Sequence, residues 1–121
     1  MRWPADWKDP VRPIHLAIVE GIKTMTGAED PWIQEEPAGV APGVIVAGLN
    51  PVNTDAVAMA VTGFDPMAVR GTPPFERCDS TLRLAESVGR GSRDRKRIEI
   101  AGTPISEAKV DFAAIRRQRR A

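Results

Sequence analysis

Proline limits what this chain can fold into more than any other residue type. Eleven of its 121 residues are proline, roughly twice the usual share of about 5%. Proline has a fixed φ and no N–H, so it is expelled from helix interiors and central strands. Pro4, Pro10 and Pro13 break up the first thirteen residues, which also carry charges and two tryptophans. These residues read as an extended arm, with Trp3 and Trp7 packing back on the body. Pro31, Pro37 and Pro42, with Gly27 and Gly39, rule out a long helix between Ile22 and Pro42. Loops of that length are usually functional or disordered, so this stretch is the first candidate for a lid or a ligand-facing loop.

Regular structure must sit between these breaks. Residues 14–19 (IHLAIV) suit a short buried strand. Residues 43–48 (GVIVAG) are the clearest strand, and their lack of apolar/polar alternation predicts burial on both faces in a central, parallel position. Asn50 then reads as a helix N-cap and Pro51 as the first helical residue, where a missing N–H costs nothing. Val52, Ala56, Met59 and Ala60 recur at helical spacing, Val57 and Val61 widen that face, and Gly63 suits the closing turn. Residues 64–66 and 71–74 break the chain again. Residues 80–88 predict a second helix, capped by Ser80 or Asp79 and ended by Gly89. Residues 97–101 (RIEIA) alternate as a half-exposed strand near a sheet edge would. Residues 110–120 predict a short basic helix.

The fold expected is α/β: a small, mainly parallel sheet of about three strands with two or three helices, forming part of a larger sheet. Its expected organisation is an arm at 1–13, an α/β domain at 14–105 and a basic tail at 106–121.

Charge and cysteine content narrow the function classes. A net charge of +1 argues against a chain built as a whole for nucleic acid or acidic surfaces. The basic stretches 90–97 (RGSRDRKR) and 116–120 (RRQRR) contain no aromatic residue on which bases could stack, so nucleic acid is not the expected partner. Cys78 is the only cysteine; by itself it makes no internal disulfide, structural zinc site or iron–sulfur cluster. A chain without disulfides fits a reducing compartment. The first ten residues lack the apolar stretch of a signal peptide. The longest apolar runs, 44–49 and 56–61, fall far short of the roughly 20 residues that span a bilayer. The expectation is a cytoplasmic chain with no membrane partner.

Three ordered stretches carry a family likeness: 15–27 (HLAIVEGIKTMTG), 43–69 (GVIVAGLNPVNTDAVAMAVTGFDPMAV) and 82–102 (LRLAESVGRGSRDRKRIEIAG). Over roughly residues 14–105 the chain resembles the C-terminal half of the family catalogued as domain of unknown function 362. That half runs through an "aIvDGI" strand, a Gly/Pro loop, a "gvilaGtDPvAvDavaa" strand–helix junction, a "GfDP" break and an "A…GlG…" helix. The resemblance implies part of an uncharacterised, redox-linked enzyme, since many members carry ferredoxin-type cysteine motifs beside this domain. It also implies a partner: either a second chain or the family's N-terminal half, which is missing here. No iron–sulfur cluster carries over, because this chain lacks those cysteines. Glu20 replaces the aspartate of "DGI", Asn50 replaces the first aspartate of "GtDP", and Asp55 keeps the aspartate of "vDavaa". The loop at 27–31 (GAEDP) has lost a glycine.

In parallel α/β sheets, ligands bind beyond the carboxyl ends of the strands. Parallel pairing would bring Glu20, Asn50 and Asp55 to one rim as a ligand or metal site. These residues would offer hard oxygen ligands to a divalent cation, or Glu20 or Asp55 would act as a general base. The plainer alternative is that Asn50 caps a helix, Asp55 sits at the positive end of its dipole and Glu20 ends a strand in solvent. Gly43, Gly48 and Gly63 do not make a dinucleotide fingerprint, because Pro51 stands where a phosphate-cradling N–H is needed. His15, within an apolar run, reads as structural. Cys78 has no adjacent base to activate it. Two readings of function remain open: an enzyme part with a carboxylate-lined site at the strand ends, and a non-catalytic structural or interaction module that completes a partner's sheet. Reaction, substrate and metal identity stay undefined.

Overall fold

The computed structural model describes residues 14–26 and 38–120. The expected N-terminal arm with Trp3 and Trp7, and residues 27–37 of the candidate lid, lie outside the described residues. Four short strands, β1 (Ala17–Gly21), β2 (Thr24–Thr26), β3 (Ala38–Val40) and β4 (Val44–Gly48), form two ladders. β1 pairs with β4 and β2 with β3, each antiparallel. The expected mainly parallel sheet of about three strands is thereby corrected. The reason lies in the connection. Parallel neighbours need a crossover of a dozen or more residues, usually helical, and the prolines and glycines of 22–42 exclude such a helix. The chain returns as a hairpin instead.

The two ladders are one ribbon with a fault in it. Between the pairs Gly21↔Val44 and Thr24↔Val40, one strand spends two residues and the other three. The extra residue makes a bulge. Gly43 takes it up with φ of +68°, which a side chain would resist, and donates its N–H to the Gly21 carbonyl at 3.1 Å.

β1 and β4 alternate strictly between half-buried and exposed positions. Ala17, Val19, Gly21, Val44, Val46 and Gly48 are the half-buried set, whereas Ile18, Glu20, Ile45 and Ala47 are exposed. Burial on both faces, expected for 43–48, is corrected: among the described residues only one face of this sheet is covered.

The covering element is α1 (Pro51–Val61), which packs on both β1 and β4. Its start follows the sequence closely. Asn50 has extended backbone and accepts the Asn53 N–H on its side chain, with proline at the first helical position. At the other end, Gly63 (φ +90°) donates to Ala60 and Phe64 donates to Met59. This paired closure satisfies carbonyls that a helix end would otherwise leave free. α1 buries Val52, Ala56, Val57, Ala60 and Val61. On the side away from the strands, Val52 and Ala56 join Leu82 in a small core backed by Met59, Ala85 and Ile98.

Leu82 belongs to α2 (Thr81–Ser87), whose N-cap Ser80 is buried and accepts the Arg83 N–H at 3.2 Å. Gly89 (φ +73°) and Arg90 close this helix by the same pair of bonds, to Glu86 and Ala85. Residues 95–97 form a single 3₁₀ turn, and Ile98 is extended. Residues 98–101 join no ladder, so the strand expected over 97–101 is corrected to an irregular segment beside the sheet. α3 (Ile105–Ala108) and α4 (Phe112–Arg120) follow. Val110 and Phe112 donate to the carbonyls of Val61 and Thr62 at 2.7 and 3.1 Å, tying the start of α4 to the end of α1.

Candidate functional site

Antiparallel pairing takes the expected rim apart. Glu20 lies opposite Ile45, and Asn50 lies five residues further along the chain from Ile45. At about 3.3 Å per residue that separates them by roughly 17 Å along the ribbon. Glu20 is also on the uncovered face, with Ile18 and Ile45, whereas Asp55 belongs to the helix on the covered side. The Glu20 carboxylate is occupied locally, where Oε1 accepts the Ile22 N–H at 2.6 Å. Among the described residues, no three His, Cys, Asp or Glu side chains gather in a way that would hold a metal ion. Asp55 is largely exposed, yet partial burial pushes its carboxyl above the ordinary aspartate range. It lies beyond the first helical turn, outside the reach of the dipole effect.

Asn50 has a defined role of another kind. Its Oδ1 accepts from the Asn53 N–H at 3.0 Å, while its Nδ2 donates to the Arg90 carbonyl at 2.9 Å. Asn53 in turn accepts the Ser92 N–H at 2.7 Å. The two asparagines hold residues 90–92 against the start of α1. Gly91 is part of the fit, since a Cβ there would collide with Asn50 Oδ1, Val52 Cβ and Asn53 Oδ1. An aspartate at position 50 could accept but not donate, which gives a physical reason for asparagine at that position.

Sequence reading missed a second polar cluster. Arg93 is 9% exposed. Its Nε donates to Glu86 Oε2 at 3.0 Å, its backbone N–H to Glu86 Oε1 at 3.1 Å, and its Nη1 to the carbonyls of Met67 and Ala68 at 3.0 and 3.3 Å. The Arg93 backbone N–H, followed by its guanidinium, holds the Glu86 carboxyl below the ordinary glutamate range. Every polar atom of this cluster that these bonds describe is directed at another part of the fold. It fastens α2, residues 65–68 and residues 90–97 together. Within RGSRDRKR, nothing in the sequence distinguished Arg93 from its exposed neighbours.

What stands open is the outer face of the β1–β4 sheet. Leu16 is 57% exposed, Ile18 61%, Ile45 57% and Leu49 81%, with Ala47 exposed opposite Ile18. Ile14 and Ile22 extend the row along β1 and are also more than half exposed. A one-sided antiparallel sheet normally turns polar side chains to water. This one turns aliphatic side chains outward, with Glu20 as the exception. Contiguous exposed apolar patches of this kind mark interaction surfaces.

No protein-family model matches the chain, and neither the curated proteins nor the solved structures compared with it contain a significant match. Among the described residues no helix is long and apolar enough to cross a membrane.

Proposed function

We propose that this chain is a structural or interaction module whose two-stranded sheet is completed and covered by a partner polypeptide. The observation that carries the reading is the aliphatic outer face of β1 and β4, with Ile18 and Ile45 mostly exposed. A two-stranded ribbon needs a helix or further strands packed on it to be stable; α1 supplies this on one face and leaves the aliphatic outer face to water. A cytoplasmic setting agrees with the exposed free thiol of Cys78.

The test uses the isolated chain and the double variant Ile18→Lys/Ile45→Lys. The wild-type chain is expected to bind a hydrophobic dye and to self-associate by light scattering. The double variant is expected to lose both properties while melting within a few degrees of the wild type, because neither side chain is part of the chain's own core. A wild-type chain that is a clean monomer without dye binding contradicts the reading. So does a double variant that unfolds.

A further inference from the structure

Resting on that reading, the structure offers a second feature, an edge. Among the described residues, β4 is bonded to β1 on one side only. Gly43 donates to the Gly21 carbonyl, so that carbonyl points toward β4. An antiparallel ladder repeats every two residues, so Val44, Val46 and Gly48 exchange bonds with β1. Ile45 and Ala47 therefore direct their N–H and C=O groups to the opposite side.

On that side lies a groove of about 720 Å³, running from Gly43 to Asn50 along β4. Its far wall is residues 98–103, which join no ladder, and its floor comes from α1 through Thr54, Val57 and Val61. At a rise of about 3.3 Å per residue, an added strand of about four or five residues would match the five residues of β4 along which the groove runs. Of its lining residues only Glu99 carries a charge, so the walls match an uncharged segment and penalise a charged one.

We infer that this groove binds an uncharged, extended segment of a partner polypeptide by strand addition, with the N–H and C=O groups of Ile45 and Ala47 as the recognition elements. An unpaired edge gives affinity through main-chain hydrogen bonds, and side-chain pockets beside it give selectivity. The floor residues are apolar or carry a hydroxyl, which favours small or β-branched side chains on the inward face of the added strand.

The side chains of Ile45 and Ala47 point to the outer face while their backbone groups point to the groove, so face and edge can be altered separately. The probe is an array of capped heptapeptides alternating threonine with valine or isoleucine, set beside versions carrying lysine or glutamate at the inward positions. The full chain is expected to bind the uncharged peptides, and the amides of Ile45 and Ala47 should then exchange with solvent at least ten-fold more slowly. Ala47→Pro removes one recognition N–H without removing a bond to β1, and should weaken binding at least ten-fold. Ile18→Lys, on the outer face of β1 and outside the groove lining, should bind within about two-fold of the wild type. Failure of every uncharged peptide to bind overturns the inference, as does preferential binding of the charged versions. Protection of Ile45 and Ala47 that appears only with protein concentration, before any peptide is added, assigns the edge to a second copy of the chain and also overturns it. The exchange measurement on the wild type stands even if Ala47→Pro fails to fold.

Discussion

At the scale of single residues, Asn50, first read as potential chemistry, and Glu86, which the sequence did not single out, are both fastenings, and both give measurable consequences. Asn50 caps α1 with one amide atom and holds the Arg90 carbonyl with the other. Asn50→Asp keeps the acceptor and loses the donor, leaving a carboxylate facing a carbonyl. Urea unfolding should show a loss of about 1–2 kcal/mol, whereas a purely capping role would leave the variant as stable as the wild type. Glu86 is governed by Arg93. Its carboxyl is held below the ordinary range by the Arg93 backbone N–H and then by the guanidinium. A depressed carboxyl contributes stability that is fully present above its unfolded-state pKa. That contribution is lost as pH falls through the folded-state value. The melting temperature should therefore fall as pH drops through and below the ordinary carboxylate range. Glu86→Gln should start lower at neutral pH and fall less steeply, as read by thermal melts across that range.

At the scale of elements, the parts of the fold written in local chemistry were legible and the pairing was not. Asn50-Pro51 announced the start of α1, the pair Asp79-Ser80 the start of α2, where Ser80 is the cap, and Gly63 and Gly89 their ends. Each signal acts through backbone groups within a few residues, so it can be read without knowing the tertiary contacts. The direction of the β1–β4 pair is a long-range property. VIVAG is apolar at both alternating positions, which hid the alternation and imitated a strand buried on both faces. The clue that was present lay elsewhere: a segment unable to form a crossover helix cannot join parallel neighbours. The candidate site went with the pairing, since Glu20 met Asn50 and Asp55 only if the strands ran the same way. Asn50 survives as a structural residue. Arg93 could not be told from the arginines around it, because burial, not residue type, sets it apart. The packing of α1 against α2 is independent of these questions. Leu82, 5% exposed, links them beside Val52 and Ala56. Leu82→Ala should cost about 2–5 kcal/mol in denaturant unfolding; a smaller loss would show that the two helices are not held by this contact.

At the scale of the whole molecule, the covered and uncovered surfaces follow different rules. Beneath the sheet, α1 is buried between strands and α2, and its polar neighbours are tied down by the asparagine pair and the Arg93 cluster. Above the sheet, aliphatic side chains face outward from two strands that have no third beside them among the described residues. Burying a Leu or Ile side chain is worth about 1.5–3 kcal/mol, so leaving Leu16, Ile18, Ile45 and Leu49 in water forgoes a large stabilisation that a covering partner would recover. Hydroxyl-radical footprinting reads this most directly, on the isolated chain and on the same chain recovered in its native assembly. Oxidation at Leu16, Ile18, Ile45 and Leu49 is expected to be high in the isolated chain diluted to the monomer and to fall several-fold in the assembly, with labelling around Arg70 and Asp79 unchanged. Equal oxidation of the four aliphatic residues in both states would contradict the account.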